Sequence, residues 1–185
     1  PYAVTKLAAD RLAYSYYLTR KLPVVILRPF NTYGPYQYIE KMIPLFITRL
    51  MRNLPIVLHH GGRQTRDWLF VEDHVSAIEK IITKGKIGET YLVGGQTKDV
   101  NNLKIAKMIL KIFNKDFKSN IKFVKDRPGH DRRYAVDWRK INKELGWKPK
   151  HDFYDWLKQT VVWYKDNEWW WKEMKLESEK FYNKK

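Results

Sequence analysis

The chain has 185 residues and a formal net charge of +16. This length suits one good core, or one domain plus a lobe. Because 44% of the residues are hydrophobic, disorder over the whole length is not expected. The absence of cysteine excludes disulfides and cysteine-based metal or thiol sites, and no apolar run approaches the roughly 20 residues of a membrane helix. The first residues are polar and amphipathic rather than a signal peptide, so we expect a cytoplasmic protein with no membrane partner.

The first part of the chain alternates helical and strand-like patterns. Residues 2–20 contain no Gly or Pro and repeat apolar residues at helical spacing, which predicts a helix. After Pro23 the run Val-Val-Ile-Leu at 24–27 predicts a buried strand, and the Asn-, Gly- and Pro-rich stretch 30–37 predicts a loop. The elements predicted next are a helix over 44–52, a strand over 56–58 and a turn over 59–64.

The second part continues the alternation. The apolar stretch 68–71 precedes a helix that begins at the acidic pair Glu72 and Asp73 and ends near Gly85. The remaining predictions are a strand over 90–93, a helix over 103–113 capped by Asn101 or Asn102, a strand over 121–124, a loop over 126–133, and two final helices near 138–145 and 153–166. Alternating strands and helices indicate an α/β fold, and the less regular later elements are typical of an α+β lobe.

The positive charge allows two interpretations. A basic face could bind nucleic acid, and the tryptophans at 169–171 could stack on its bases. Alternatively the lysines are solvated surface, and the tryptophans anchor the C-terminal end on the lobe. We favour the second interpretation and expect no nucleic-acid partner. One set of lysines repeats every three or four residues and predicts a single helix face: Lys104, Lys107, Lys111, Lys115 and Lys118.

Tyr2 and Lys6 are four residues apart, which places a phenol and an ammonium group on one helix face. A free phenol is a poor base at neutral pH, but a nearby cation favours the phenolate form. Tyr2 could then take a proton from a substrate hydroxyl while a hydride leaves the same carbon. The adjacent His59 and His60 do not predict a metal site, because neighbouring residues rarely converge on one ion and no third ligand is evident.

Longer motifs give this pair a context. In chain order they are PYAVTK at 1–6, LRPFNTYGP at 27–35, EKMIPL at 40–45, RDWLFVEDH at 66–74, RPGHDRRYA at 127–135 and NEWWW at 167–171. Together they resemble the dTDP-glucose 4,6-dehydratases, which are NAD-dependent enzymes of the extended short-chain dehydrogenase and epimerase/dehydratase family. The resemblance extends to about residue 171.

The resemblance implies the C-terminal part of a Rossmann-like doubly wound parallel sheet plus a small α+β substrate-binding lobe. Residues 1–34 would be a remnant of the NAD-binding domain. Residues 35–185 would mainly form the substrate lobe, with 66–95 returning to the Rossmann sheet. The implied activity is that of a lyase in nucleotide-sugar metabolism, which converts dTDP-glucose to dTDP-4-keto-6-deoxyglucose and water.

The resemblance also implies roles for single residues. Tyr2 would be the catalytic base, Lys6 would support it, and both would contact NAD together with Thr32, where the family usually has Asn. The positions implied to contact the dTDP-sugar are Asn31, Lys41, Met42, Val57, His59, Arg66, Asn101, Asp131, Arg132, Arg133 and Tyr134. His59 stands where the family has a tyrosine that stacks on thymine.

Arg66 and Arg132 suit a diphosphate because a guanidinium offers a planar fork of donors. The alternative is that they form exposed ion pairs, Arg66 with Asp67 or Asp73 and Arg132 with Asp131, which contribute about 0 to 1 kcal/mol each. We favour the diphosphate interpretation.

Two parts of the family's site do not occur in this sequence: a glycine-rich phosphate loop and an Asp-Glu pair that would precede Tyr2. The chain is therefore expected to be a fragment, a split or truncated gene product or an engineered piece, and to be inactive alone. The apolar faces of its first helix would be exposed and promote a homodimer or higher homo-oligomer. Two alternatives stay open: a UDP-sugar epimerase or decarboxylase of the same fold, and a non-catalytic nucleotide-sugar-binding remnant.

Overall fold

The computed structural model describes residues 1–95, 100–126 and 128–182, with side chains through residue 177. Arg127 of the RPGHDRRYA motif lies outside the described residues. The helices are α1 (Tyr2–Arg20), α2 (Met42–Met51), α3 (Val71–Lys84), α4 (Asn102–Ile112), α5 (Phe117–Asn120), α6 (Arg139–Leu145), α7 (Phe153–Asp166) and α8 (Glu168–Tyr182), with a 3-10 turn at His60–Gly62. The strands are β1 (Ile26–Pro29), β2 (Asn31–Tyr33), β3 (Ile56–His59), β4 (Thr65–Arg66), β5 (Trp68–Phe70), β6 (Thr90–Val93), β7 (Val100–Asn101), β8 (Ile121–Val124) and β9 (Arg133–Tyr134).

Most strand pairs are parallel. β1 pairs with β6, β2 with β5 and β3 with β8, each in parallel. Parallel partners require a crossover between them, and helices lie within each of these connections, as α2 does between β2 and β5. The fourth group is a small mixed sheet in which β4 lies between antiparallel β7 and parallel β9. This arrangement confirms the α/β prediction.

Two apolar clusters hold these elements together. In the larger one α2, α4 and α7 meet over β3 through side chains that repeat at helical spacing and are fully buried: Ile43, Ile47, Ile105, Ile109, Leu157 and Val161. The smaller cluster joins β5, β6, α3 and α6 through Leu69, Val93, Ala77 and Ile141. Among the described helices, none is long and apolar enough to cross a membrane.

The first helix lies on the outside of the molecule. None of its residues is buried, and Tyr2, Leu7 and Leu12 are 77%, 56% and 60% exposed. Its attachment to β1 includes an ion pair in which Arg28 Nε lies 2.6 Å from Asp10 Oδ2. The expected exposure of apolar side chains on this helix is confirmed, and association through it stays a prediction.

Element boundaries depart from the sequence predictions where distant contacts decide them. The predicted strand 24–27 is displaced and runs from Ile26 to Pro29, opposite β6. Strand β2 forms inside the predicted loop 30–37, because Asn31–Tyr33 aligns with β5. Helix α2 begins before Pro44, which is compatible with proline because the first turn has no helical partners for its N–H groups.

Two predictions are wrong. Helix α4 ends at Ile112, so Lys115 and Lys118 do not share its face; Lys115 Nζ instead donates to Asn53 Oδ1 at 2.9 Å. The fold also does not finish with α7, because α8 follows it directly. The tryptophan anchor itself is confirmed, since Trp171 is 1% exposed and its Nε1 donates to Tyr164 O at 2.9 Å.

Candidate functional site

Strand β4 gathers predicted site residues from distant parts of the chain. Thr65 lies opposite Asn101 on one side and opposite Arg133 on the other. Arg66 likewise lies opposite Val100 and Tyr134. Four of the predicted substrate-contacting residues therefore belong to one three-stranded sheet, which we call the β4 sheet (β7, β4 and β9).

Arg66 is buried in this sheet, with 6% of its surface exposed. Its Nη2 donates to Asp131 O at 2.8 Å, and its Nη1 donates to Thr65 O at 2.7 Å and to Arg132 O at 3.4 Å. The guanidinium carbon also lies 4.0 Å from the ring centroid of Tyr134, a cation–π contact that contributes about 2 kcal/mol when desolvated. Arg66 thus braces the backbone of the segment 131–134 from inside.

The alternative pairing of Arg66 with Asp73 is wrong for the described residues. Asp73 lies in the first turn of α3 and accepts hydrogen bonds from the backbone N–H groups of Lys150 and His151 and from His151 Nδ1. Arg132, by contrast, has an exposed side chain, and its carbonyl accepts from Thr65 N at 2.9 Å. The segment therefore has a fixed backbone and presents its arginine side chain to solvent.

The other end of the same loop is held by a buried glutamine. Gln64 is 1% exposed, and its Nε2 lies 3.1 Å from both Asp126 Oδ2 and His130 Nδ1. His130 Nδ1 is also 2.7 Å from Asp126 Oδ1. The ring of His59 lies 6.4 Å from that of His130, and His59 Nδ1 lies 3.1 Å from Lys125 O. His59 therefore borders the loop that carries Arg132.

Val57 precedes His59 by two positions in β3, so both side chains point to the same side of the strand. Val57 is half-buried and His59 is exposed. The exposed imidazole and the half-buried valine can together form one wall of a binding surface.

Asn101 is the N-cap of α4. Its Oδ1 accepts a hydrogen bond from Lys104 N at 2.8 Å, which satisfies one of the free N–H groups of the first turn. The amide NH₂ is then the group that can donate to a ligand. The capping role predicted for Asn101 is confirmed.

Thr32 lies in β2, on the side of the molecule predicted to face the nicotinamide. Its Oγ1 is 3.0 Å from His74 Nδ1 and 3.2 Å from Phe30 O. Burial lowers the pKa of His74 below its ordinary value, which favours the neutral imidazole as the partner of the threonine hydroxyl. Asn31, the neighbour in the strand, points to the opposite face. Phe30 contacts the Tyr134 ring edge-on at 5.0 Å, which connects this strand to the β4 sheet.

Other predicted site residues lie apart from the β4 sheet. Tyr2 and Lys6 are exposed in the first turns of α1, and no hydrogen bond between their side chains occurs in the described part of the chain. Lys41 is the exposed N-cap of α2, and Met42 is half-buried against the larger core. Of the contacts described, none joins Lys41 to Arg66 or Asn101. The roles of these four residues stay predictions.

A separate cavity of about 260 Å³ opens beside α7, between Phe70, Glu72, Trp156 and Trp163. None of the predicted site residues lines it. Within the described residues, no group of three or more His, Asp or Glu side chains is placed to hold a metal ion.

The sequence predictions missed Gln64 and Asp126. Neither residue belongs to a motif or a spacing that indicates catalysis. A signal did exist for Gln64, because its position two residues before Arg66 places both side chains on the same face of an extended segment.

Known proteins resemble the chain over most of its length. A family model described as GDP-mannose 4,6 dehydratase matches residues 1–160. The dTDP-glucose 4,6-dehydratase of Streptomyces niveus is 44% identical over 179 residues, which cover 97% of this chain and 53% of that protein. The crystal structure of dTDP-glucose 4,6-dehydratase from Bacillus anthracis str. Ames in complex with NAD is 43% identical with a TM-score of 0.88, and the match covers 94% of this chain and 54% of that one.

A more distant structure is UDP-glucuronic acid 4-epimerase from Bacillus cereus, in complex with UDP-glucuronic acid and NAD. It is 29% identical with a TM-score of 0.84, and the match covers 90% of this chain and 52% of that one. The chain spans about half the length of the curated relatives it matches.

Proposed function

This chain belongs to the family that the GDP-mannose 4,6-dehydratase model describes, and we propose that it is the C-terminal, substrate-binding portion of a dTDP-glucose 4,6-dehydratase. Such an enzyme is an NAD-dependent lyase that converts dTDP-glucose to dTDP-4-keto-6-deoxyglucose and water. The observation that carries the proposal is the β4 sheet, which brings Asn101, Arg133 and Tyr134 together around a buried Arg66.

The diphosphate is proposed to bind at the open side of this sheet. Arg132 offers an exposed guanidinium from a backbone that Thr65 and Arg66 hold in place. Asn101 adds an amide donor at the N-terminus of α4, where backbone N–H groups and the helix dipole favour negative charge. In this proposal Arg66 supports the loop, and Arg132 contacts the phosphate oxygens.

The base of the nucleotide is proposed to lie against His59. Its exposed imidazole can stack on thymine, although the ring is smaller than the phenol found there in the family. Val57 provides an apolar contact on the same side of β3. We expect thymine recognition with a smaller stacking contribution than a tyrosine would give.

The proton-transfer step is assigned to Tyr2, with Lys6 one turn later on α1. Tyr2 is 77% exposed and therefore open to a ligand on that side. NAD would supply the hydride acceptor at the sugar carbon that Tyr2 helps to oxidise, and Thr32, whose hydroxyl is already oriented by His74, would contact it. Lys41 and Met42 at the start of α2 and Asn31 in β2 would complete the sugar-binding surface.

The domain division follows from the same proposal. Residues 1–34 would belong to the NAD-binding domain and 35–185 mainly to the substrate lobe, with 66–95 returning to the parallel sheet. The exposed apolar side chains of α1 would pack against a second copy, giving a homodimer or higher homo-oligomer.

Calorimetric titration with dTDP and with UDP tests the proposal. We expect dTDP to bind more tightly than UDP, and Arg132→Ala to weaken dTDP binding about tenfold or more because one charged phosphate contact is lost. Arg139→Ala is the matched control, since Arg139, the first residue of α6, is also exposed but pairs with Asp137. Preference for UDP would favour the epimerase alternative, and failure to bind either nucleotide would reject nucleotide-sugar recognition by this chain.

A further inference from the structure

We propose that Gln64 is a positioning residue for the diphosphate: with Asp126 and His130 it sets the loop that carries Arg132. This inference rests on the proposed function for the identity of the ligand, but not for the position of the loop. Gln64 belongs to none of the sequence motifs described above, and no role has been assigned to it so far.

The hydrogen-bond directions in this cluster follow from chemistry. An ionised carboxylate only accepts, so the 2.7 Å contact makes His130 Nδ1 a donor to Asp126 Oδ1. Gln64 Nε2 is also a donor, so its contact with His130 Nδ1 is proximity between two donors, and its hydrogen bond goes to Asp126 Oδ2 at 3.1 Å. Gln64 and His130 therefore each hold one oxygen of the same carboxylate.

This cluster fixes one end of a loop whose other end is fixed by the next two residues of β4. Thr65 N holds the carbonyl of Arg132, and the Arg66 guanidinium holds the carbonyls of Asp131 and Arg132. Three consecutive residues, 64 to 66, therefore contact the loop at Asp126 on one side and at Asp131 and Arg132 on the other. Arg132 belongs to the second set of contacts, and we expect its position to change when the contact at Asp126 is lost.

The burial of Gln64 indicates a role other than stability. The residue is 1% exposed, and its Oε1 is buried without a hydrogen-bond partner in the described structure. An unsatisfied buried acceptor is unfavourable, and an apolar side chain of similar volume would avoid it. Gln64→Met should therefore leave the unfolding midpoint in urea unchanged or raise it, while it removes one hydrogen-bond donor from Asp126.

The matching variants at His130 separate hydrogen bonding from packing. His130→Ala removes the donor to Asp126, whereas His130→Asn keeps an N–H group close to the place of Nδ1. We expect the alanine variant to behave like Gln64→Met and the asparagine variant to retain most of the wild-type behaviour. Gln159→Met, an exposed glutamine on α7, is the control for the chemical change itself.

The experiment measures three quantities for the 185-residue chain and each variant: the affinity for dTDP by calorimetry, the exchange rate of the Thr65 amide hydrogen by NMR, and the urea midpoint. For Gln64→Met we expect dTDP binding to weaken about tenfold and the Thr65 amide to exchange about tenfold faster, with no loss of midpoint. If dTDP affinity and Thr65 exchange both stay at the wild-type values, or if every core amide accelerates together with a lower midpoint, the inference is overturned. If the wild type binds no dTDP but Thr65 exchange still accelerates in Gln64→Met, the proposed function fails and the control of the loop by Gln64 stands.

Discussion

Replacing Asp73 by alanine should be the most damaging single change at the start of α3. The carboxylate is 2% exposed and accepts three hydrogen bonds, from Lys150 N at 3.0 Å, from His151 N at 3.2 Å and from His151 Nδ1 at 2.8 Å. It therefore fixes the segment that leads into α7 against α3. Nothing in an alanine side chain can replace these contacts.

The magnitude follows from the number of groups that lose their acceptor. Hydrogen bonds to a charged group contribute about 1.5 to 3 kcal/mol each. Three hydrogen bonds that share one carboxylate contribute less than the sum of three separate ones. We therefore expect Asp73→Ala to lower the free energy of unfolding by about 3 to 5 kcal/mol. That is a large fraction of the total stability of about 5 to 15 kcal/mol for a domain.

Equilibrium unfolding in urea at pH 7.5, followed by tryptophan fluorescence, measures the effect. Asp137→Ala is the control, because Asp137 pairs with Arg139 on the exposed surface and its removal should leave the midpoint nearly unchanged. If Asp73→Ala moved the midpoint no further than Asp137→Ala does, the three contacts would not hold α3 to the segment 149–151, and the reasoning would be refuted.

Three further predictions concern other parts of the molecule. In urea titrations, Gly62→Ala should lower the free energy of unfolding by about 1 to 3 kcal/mol more than Gly146→Ala does. Both glycines have positive φ, but a Cβ at Gly62 would meet a backbone nitrogen of α4 at 2.9 Å, whereas a Cβ at Gly146 would meet nothing within 4 Å. Equal losses of free energy in the two variants would contradict this prediction. Burial lowers the pKa of His74, so the unfolded chain binds a proton at this histidine more readily than the native state does, and the native state loses stability as the pH falls below about 6.5. The His74→Gln variant should therefore lose less stability than the wild type between pH 7.5 and 5.5. Equal losses in the two proteins would show that His74 is not responsible. In the same assay, Trp171→Ala should lower the free energy of unfolding by about 3 to 5 kcal/mol and Trp169→Ala by far less, since these side chains are 1% and 70% exposed. Similar losses of free energy would argue against the role of Trp171 as an anchor.

Long elements with strong local signals could be predicted from the sequence. Helix α7 is an example, because Asp152 caps it by accepting from the N–H groups of Tyr154 and Asp155 and its apolar residues repeat at helical spacing. Strands β6 and β8 were predicted with the observed bounds because each is a short apolar run between turn signals.

The β4 sheet could not be predicted in the same way. Strands β4, β7 and β9 contain two residues each, and such short segments become strands only when distant partners align with them. The internal role of Arg66 has the same origin, since its acceptors belong to a loop whose position no local pattern specifies. Sequence similarity marked Arg66 as a site residue, whereas its hydrogen bonds to the loop are visible only in the structure.

The pairing of β4 with β9 has a consequence for the order in which the molecule assembles. Arg66 and Arg132 are 66 positions apart in the chain, so their contact closes a large loop and must overcome its entropy before it contributes anything. Because β4 and β9 contain only two residues each, few hydrogen bonds compensate for that entropy, whereas the helices around β3 also share the larger apolar core. Ligand recognition would then be the last property acquired during folding and the first one lost on mild heating, while the circular-dichroism signal of the helices still looks native.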